Sequence, residues 1–535
     1  MLLVEDTLPD DVVALKALVA ELHDTLEREV SAREQALADK GRENALLRER
    51  LRLLLAQRFG AASERVSDAQ LGLFNEAEQE SEDSGTDSDE TRAVAGHRRR
   101  RARRKPLDPH WPRVELVHDL PDEEKVCPSD GTALELIGVL ESEQLDIVPA
   151  TVRVLRHQRR KYACPCCRLY LKTAPMPAQP IAKSQASPGL LAHIATGKYV
   201  DALPLYRQAQ QLERLGLRCS RTTLARWMVR CGELVQPLWN LLEEQLLALD
   251  YLQCDESRMQ VLKEAGKTPE SESYVWVRRS GLPERPIVLF DYSPSRSGEV
   301  AKQLLTGFEG TLQADAYSGY GPAARELGLV RAYCMAHARR GFTDALKANG
   351  VNPKKLPLES TKAVALCREA LGYIRKLYAI ERRVAEEPPD ERWRRRQIEA
   401  VPILEAFKRW LDANAPRVRP SSELAKAIQY SRNHWSGLIR YCDDGRVAID
   451  NNRCENAIRP FCVGRRNWLF ADTVAGAQAS AKLYSLISTA KANVLEPYAY
   501  LRHVFTQLPC ASRVEDIEAL LPWHLDAASL ATPAH

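Results

Sequence analysis

Two aspartates in this chain are spaced as the carboxylates of a metal-dependent phosphoryl-transfer site would be. Asp255 and Asp315 lie 60 residues apart, and each follows a short apolar stretch that a strand would bury. Two buried carboxylates without neighbouring cations are costly unless they hold a metal ion. A single aspartate at a strand end is more often a turn former, so the prediction depends on the two strands being neighbours in one sheet.

A third carboxylate comes from a predicted helix further along the chain. Asp450 or Asn451 can cap this helix, and Glu455 and Arg459 then share one face at a four-residue step. With Glu455 the site would suit two Mg²⁺ or Mn²⁺ ions about 3.5–4 Å apart. The alternative, an ordinary surface pair of Glu455 with Arg459, stays open on residue types alone. Pro460 is expected to end or kink the helix.

The elements that must position these acids follow a recognisable order. Period-two and helical patterns predict strands at 251–262, 273–278, 286–292, 311–316 and 330–334, with helices at 297–305, 322–327 and 337–347. Three strands, a crossover helix, then strands alternating with helices is the ribonuclease H order. In that order the first and fourth strands, which carry Asp255 and Asp315, are neighbours at the centre of the sheet.

A helical region before the sheet resembles a helix-turn-helix. Residues 208–215 and 220–230 flank a turn at 216–219, with Ser220 as the N-cap of the second helix. The exposed first turns of this helix would meet base edges, and the candidate contacts are Arg221, Thr222, Thr223 and Arg226. Leu224 and Trp227 are expected to face inward. Any helical hairpin with a glycine turn has a similar pattern, so the assignment depends on its context.

Two basic segments are further candidates for contact with nucleic acid. Residues 98–105 are basic at every position but Ala102 and follow an acidic run at 76–90. The acidic half is typical of a solvated tail, whereas clustered arginines displace counterions from DNA. Residues 464–470 interleave basic and aromatic side chains, which suits phosphates and frayed bases. The candidate contacts in and near these segments are Arg99, Arg100, Arg101, Arg459, Arg465, Arg466 and Trp468.

A small cysteine-containing module lies between these regions. Cys127 and Asp130 form one knuckle-like pair, and Cys164 and Cys167 form a second. Four thiolates would complete a zinc tetrahedron, but Asp130 takes one of these places, and Cys166 is an alternative ligand. A possible Zn²⁺ site and a metal-free relic of such a site both remain open.

The chain of 535 residues is long enough for several domains, and its net charge is only +4. Residues 10–57 read as helix, either two amphipathic helices packed on the body or a short coiled coil. No apolar run reaches the roughly 20 residues that a membrane span needs, and the N-terminus has no signal-peptide pattern. We therefore expect a cytoplasmic, nucleoid-associated protein without a membrane partner, whose thirteen cysteines are mostly reduced.

Several long motifs resemble the insertion sequence 66 family of bacterial DDE transposases. They are IDNNRCENAIRPFCVGRRNWLF, SLISTAKANVLEPYAYL, LQADAYSGY, CMAHARRGF, KYVDALPLYRQ and LRLLLAQRFGAASER. The resemblance implies that Asp255, Asp315 and Glu455 are the catalytic acids of an RNase H-like domain with a helical insertion. It also implies a zinc-finger-like module, from whose pattern Asp130 departs. Cys334 and His337 match a further motif, in which the histidine is either a buried hydrogen-bonded residue or a contact to a ligand or substrate.

The resulting prediction is a multidomain α+β transposase that cleaves the ends of an insertion sequence and transfers the 3′-hydroxyl strand into target DNA. Its partners would be double-stranded DNA, a second copy of itself and small accessory proteins of the element. The alternatives are a non-enzymatic DNA-binding protein derived from a transposase and a ribonuclease or repair nuclease on the same fold. The predicted regions are a leucine-rich helix or coiled coil (1–60), an acidic and basic linker (61–106), the zinc-finger-like module (107–180), the helix-turn-helix region (181–249), the first part of the catalytic core (250–345), the helical insertion (346–440), the segment with the catalytic helix (441–480) and a C-terminal helical region (481–535).

Overall fold

The computed structural model describes residues 11–59, 152–163, 171–353 and 361–530. The predicted linker and most of the zinc-finger-like module, including Cys127, Asp130, Cys164 and Cys167, lie outside the described residues, as do Arg99, Arg100 and Arg101. The chain divides into two compact units, one of residues 1–83 with 158–535 and one of residues 84–157. Of the second unit, only the extended segment 152–157 is described.

The N-terminal segment is one helix, α1 (Val12–Phe59). The helix prediction is confirmed, but the alternative of two shorter helices is wrong, because the helix runs unbroken through the polar stretch 31–44. Near its C-terminal end Glu49 is buried, forms an ion pair with Arg419 and accepts a hydrogen bond from Asn349 Nδ2 at 3.5 Å. Most other side chains of α1 are exposed, so this end anchors the helix.

The helix-turn-helix region precedes the sheet. Its helices are α2 (Pro188–Tyr199), α3 (Leu205–Arg214), α4 (Arg221–Leu234) and α5 (Gln236–Leu247). Ser220 Oγ accepts the Thr223 N–H at 3.1 Å, which confirms the predicted N-cap of α4. Gly216 has φ +87° in the turn before it, a conformation that favours glycine. Leu224 is buried and Trp227 half-buried, as the inward-facing pattern predicted.

The central sheet has the predicted ribonuclease H topology. A short antiparallel pair, β1 (Lys161–Ala163) and β2 (Leu171–Thr173), precedes it. The sheet contains β3 (Tyr251–Lys263), β4 (Glu272–Ser280), β5 (Val288–Ser293), β6 (Thr311–Ala314), β7 (Val330–Tyr333) and β8 (Ala471–Thr473). The order is β5-β4-β3-β6-β7, with β3, β4 and β5 antiparallel and β3, β6 and β7 parallel. In addition, β8 pairs in parallel with the far end of β3, which the sequence did not predict.

Helices cover the sheet and protect its β5 edge. Between strands lie α6 (Gly298–Leu305) and α7 (Tyr320–Glu326), and later in the chain α15 (Val474–Ala492) packs against β5 and α4. Ser485 Oγ of α15 accepts the Phe290 N–H at 2.8 Å, and Thr489 Oγ1 accepts the Val288 N–H at 3.0 Å. These hydroxyls satisfy backbone groups that an edge strand would otherwise expose.

The predicted insertion is helical. It comprises α8 (Met335–Ala348), α9 (Lys362–Arg383), α10 (Pro389–Arg395), a π-helical turn (Arg396–Ala400), α11 (Val401–Asn414), α12 (Glu423–Asn433) and α13 (Trp435–Leu438). Arg396 is buried and pairs with Glu381 at 2.6 Å. Its Nη1 donates to the carbonyls of Tyr441, Asp444 and Val447 at 2.5, 2.9 and 3.0 Å. This guanidinium therefore fixes the segment that leads back to the sheet.

The helix α14 (Asn452–Trp468) continues through Pro460, so the expectation that the proline would end it is wrong. Asn456, whose carbonyl loses its partner at Pro460, is exposed and open to water, while Ile458 and Phe461 are buried and hold the helix on the core. The chain continues with α16 (Pro497–Gln507), α17 (Val514–Glu518) and α18 (Ala527–Leu530). Across the described ranges, no helix combines the length and apolarity that a bilayer crossing requires.

Candidate active site

The register of two parallel strands sets the positions of the candidate aspartates. Leu252 of β3 pairs with Leu312 of β6, and the next pair is Gln253 with Gln313. The same offset of 60 residues places Asp255 beside Asp315, two residues beyond the glutamines and on the same side of the sheet. The two aspartates that the sequence analysis singled out are therefore adjacent at the carboxyl ends of the central strands.

A buried polar network connects these strands to the segment before α14. Gln253 Nε2 donates to Gln313 Oε1 at 2.8 Å, and Tyr251 O–H donates to the same oxygen at 2.5 Å. Gln313 Nε2 in turn donates to the Ala448 carbonyl at 2.7 Å, and the Ala448 N–H donates to the Tyr251 hydroxyl at 3.0 Å. Gln253 Nε2 also lies 3.2 Å from the carbonyl of Asp450. These contacts place the start of α14 over the aspartates.

The first residues of α14 complete the attachment. Asn451 Nδ2 donates to the Cys254 carbonyl at 2.9 Å, and the Cys454 thiol contacts the Gln253 carbonyl at 3.7 Å. Asp450 Oδ1 accepts the Asn452 N–H at 3.1 Å, which confirms a side-chain cap from Asp450 rather than from Asn451. One turn into the helix, Glu455 is 7% exposed, so it is a buried acid and not one half of an exposed surface pair.

Electrostatics confirm that the three acids share one space. Burial raises the pKa of the Asp255 carboxyl well above its usual range. The neighbouring carboxylates of Glu455, Glu256 and Asp315 raise this pKa further, because each disfavours a second negative charge nearby. A divalent cation among these groups would relieve the repulsion, so the donor set fits ions that prefer carboxylate oxygens.

Helix α8 of the insertion contributes three side chains around Glu455. His337 Nδ1 lies 3.6 Å from Glu455 Oε1, and Arg340 Nη2 lies 3.7 Å from Oε2. Cys334 Sγ is 4.0 Å from Oε1 and accepts the Asn451 N–H at 3.2 Å. Burial, and then the charge of Arg340, lower the pKa of His337 to about 4. His337 is therefore neutral at physiological pH, and its approach to Glu455 is not an ion pair.

A second buried acid next to Asp255 was not predicted. The Glu256 side chain is 2% exposed, forms an ion pair with Arg296 and accepts the Tyr320 O–H at 2.6 Å. The Arg296 guanidinium lies 3.8 Å from the centre of the Tyr317 ring, a cation–π distance. The adjacency of two acids in the sequence was the available signal. Glu256 thus holds a cation at the rim of the site.

The candidate DNA contacts of α4 lie at the surface. Arg221, Thr222 and Arg226 are exposed, and Thr223 is half-buried beside its cap. This surface contains charged and hydroxyl groups of the kind that reach base edges and phosphates.

The candidate DNA contacts of α14 differ from one another in exposure. Arg466 is exposed and Arg459 is half-buried. Arg465 Nη1 donates to Ser257 Oγ at 3.1 Å and to the Arg258 carbonyl, which joins α14 to β3. Trp468 is half-buried, with its ring centroid 5.7 Å from that of Phe461 and the Lys198 ammonium 5.0 Å above it.

Divalent ions are expected to raise the thermal stability of the protein, and to do so more at about pH 8 than at about pH 5. As the pH falls through the raised pKa of Asp255, a proton competes with the ion for this carboxylate, so the ion-induced gain shrinks. At an ion concentration of about 100 times Kd, binding to the folded state stabilises it by about 2.7 kcal/mol. Melting curves with and without Mg²⁺ measure the gain. An Asp315→Asn variant should lose most of it, and an equal gain at both pH values in the unaltered protein would contradict the assignment.

Four family models match this chain. The model described as "Transposase IS66 family" matches residues 183–479, and the "IS66 C-terminal element" matches residues 485–523. The "zinc-finger binding domain of transposase IS66" matches residues 124–168, and "Transposase C of IS166 homeodomain" matches residues 46–116. The first match alone spans the helix-turn-helix region, the sheet, the insertion and α14.

Curated relatives from Sinorhizobium fredii (strain NBRC 101917 / NGR234) match over most of their length. Uncharacterized protein y4jD is 34% identical over 433 residues, which cover 79% of this chain and 82% of the relative. Uncharacterized protein y4qI is 32% identical over 97% of both chains. Uncharacterized protein y4hP is 29% identical over 83% of this chain and 80% of its own. Together with the fold and the clustered acids, these matches show that the chain belongs to the IS66 family of transposases.

Proposed function

We propose that this transposase cleaves the ends of an insertion sequence and joins the freed 3′-hydroxyl to target DNA, with Asp255, Asp315 and Glu455 as its catalytic acids. The observation that supports this proposal most directly is the convergence of the three carboxylates at the carboxyl ends of β3 and β6. Neither a serine nor a tyrosine nucleophile is needed, because water and then the DNA hydroxyl attack the phosphate in turn.

The three acids would hold two divalent ions, Mg²⁺ or Mn²⁺. Such ions, when bound, lower the pKa of the attacking oxygen nucleophile and stabilise charge on the leaving oxygen. Asp255 and Asp315 would bind from the sheet, while Glu455 would bind from α14, whose position the glutamine and tyrosine network maintains. The protein's part is to keep the carboxylates ionised, close and oriented towards the phosphate.

The catalytic assignment predicts that Asp315→Asn reduces strand transfer by at least about 1,000-fold, equivalent to about 4 kcal/mol of lost transition-state stabilisation. The amide preserves size but lacks the charge that binds the ion. The assay joins pre-cleaved element ends to a plasmid with Mg²⁺, with and without the element's small accessory proteins. The matched control is Asp443→Asn, because Asp443 is exposed and paired only with Arg440 at 2.9 Å among the printed ion pairs of the described residues.

The same assay separates the proposed function from its alternatives. Full activity in the Asp315→Asn protein would refute the metal-site assignment. DNA binding to the ends with no cleavage or joining by the unaltered protein under any divalent ion would instead indicate a non-enzymatic DNA-binding protein. Cleavage without preference for the element ends over random duplex would favour a ribonuclease or repair nuclease.

We further propose that α4 reads the element ends through Arg221, Thr222, Thr223 and Arg226. The neighbouring phosphates would be bound by basic side chains of two other segments. These are Arg99, Arg100 and Arg101 before the module and Arg459, Arg465 and Arg466 of α14, with Trp468 as a stacking surface.

For the recognition helix, Arg226→Ala is expected to weaken binding to the element ends by about 1–3 kcal/mol and to weaken binding to random duplex less. The control is Arg230→Ala on the same helix, since Arg230 already pairs with Glu233 at 2.7 Å. Fluorescence anisotropy at fixed salt measures both affinities. An equal loss on the two DNAs would make Arg226 a phosphate contact, and no loss on either would exclude α4 as the reading helix.

A Zn²⁺ ion is proposed for the module, with Cys127, Asp130, Cys164 and Cys167 as ligands. The match to the zinc-finger binding domain over residues 124–168 supports it. The zinc content of the purified protein tests this assignment directly. Because the family acts on chromosomal DNA, we also propose that the protein works in the bacterial cytoplasm at the nucleoid.

Self-association is proposed through α1. Two series of seven-residue steps run along one side of this helix, away from buried Glu49. One series contains Val30, Leu37, Asn44 and Leu51, and the other contains Val19, Leu26, Leu47 and Leu54 with Arg33 and Lys40 between them. All of these side chains are exposed. This is the a and d pattern of a coiled coil, and a polar asparagine at an a position specifies register.

The α1 proposal predicts a dimer or higher oligomer that the double substitution Leu47→Lys with Leu51→Lys converts to a monomer. Charges at adjacent a and d positions repel across the seam. Light scattering after gel filtration measures the mass. The matched control, Ala32→Lys with Ala38→Lys, adds the same charge to exposed positions off the seam and should leave the mass unchanged. A monomeric unaltered protein would refute the proposal.

A further inference from the structure

The imidazole of His337 is placed unusually for a partly buried histidine. It lies in the first turn of α8, next to the point where β7 enters the helix. Its Nδ1 is buried and has no hydrogen-bond partner among the described residues. The nearest acidic group is Glu455, whose Oε1 lies 3.6 Å away. Together with Cys334, these two residues bring three potential ligand atoms within 4.8 Å of one another.

A separation of 3.6 Å is too long for a hydrogen bond between a ring nitrogen and a carboxylate oxygen. Both atoms can offer an electron pair, so nothing in the pair alone draws them together. Bonds from nitrogen and oxygen ligands to a divalent transition ion are about 2.0–2.2 Å long, so one ion can contact two atoms separated by up to about 4.2 Å. The observed spacing is therefore that of two ligands of one ion.

The other neighbours of Glu455 leave this position to the histidine. Arg340 Nη2 approaches the second carboxylate oxygen, Oε2, at 3.7 Å. Cys334 Sγ accepts the Asn451 N–H at 3.2 Å and lies 4.0 Å from Oε1. The thiol thus holds the start of α14, while His337 Nδ1 is the buried donor left to face Oε1.

We propose that His337 is a nitrogen ligand of the ion held by Glu455, and that this nitrogen makes the site prefer Mn²⁺ to Mg²⁺. The inference rests on the proposed function, in which Glu455 binds a divalent ion. Imidazole suits borderline transition ions, whereas Mg²⁺ prefers an octahedron of oxygens and gains little from a nitrogen. His337 would accordingly set the metal specificity of a site otherwise made of carboxylates.

The test measures the ligand directly by pulsed electron paramagnetic resonance of Mn²⁺ bound to the full chain. A coordinated imidazole gives a ¹⁴N modulation, which changes to the ¹⁵N pattern when the protein is labelled with ¹⁵N-histidine. We expect this signal in the unaltered protein and its loss in His337→Gln. The control is His193→Gln, because His193 is exposed on α2 and should leave the signal intact.

Titrations then measure the preference. His337→Gln should weaken Mn²⁺ binding on the order of ten-fold, the scale on which groups supporting a metal site act, and should leave Mg²⁺ binding within about two-fold. Asp315→Asn identifies the site by weakening both ions. If Mn²⁺ binding depends on Asp315 but the nitrogen signal is absent or survives His337→Gln, the inference about His337 is overturned and the proposed function stands. If ion binding is insensitive to Asp315→Asn, the proposed metal site falls, and the role of His337 falls with it.

Discussion

Mutual repulsion among carboxylates is the constraint on which this structure depends. Asp255, Asp315 and Glu455 must stay close and partly out of water before any ion binds, and burial with like charges raises the pKa of Asp255 as a result. The contacts that hold them are neutral and buried. They include the pair of glutamines, the Tyr251 hydroxyl and the backbone of residues 448–451. The fold supplies the energy that assembles the site, and a divalent ion would complete it.

The long family motifs correspond to these contacts rather than to ligands alone. In the motif around Glu455, Asn451 and Cys454 bond to the carbonyls of β3. In the later motif, Ser485 and Thr489 cap the backbone of the β5 edge. The insertion has a similar role, because Arg396 fixes the approach to α14 and α8 places His337 and Arg340 beside Glu455. The insertion is therefore part of the candidate site and not only an addition to the sheet.

The strand order and both aspartates could be predicted because they depend on local patterns. The tetrapeptides Leu252-Gln-Cys-Asp255 and Leu312-Gln-Ala-Asp315 repeat with one offset, and a parallel register converts that offset into contact. The same repeat could have identified Gln253 and Gln313 as a buried pair. The cap at Ser220 was equally local, since it needs only the N–H three residues ahead. Glu455 needed the family motif, because one helix acid resembles another until its burial is known.

The sequence by itself thus determined which segments form strands and helices and which two acids share a sheet, because hydrophobic period, caps and register act over a few residues. Only the tertiary structure decided the unbroken course of α1, the passage of α14 through Pro460, the pairing of β8 with β3 and the network around Glu256. It also decided that His337 faces Glu455 across 121 − 3 = 118 residues of chain. Contacts of that range arise from packing between distant segments, and no local pattern encodes them.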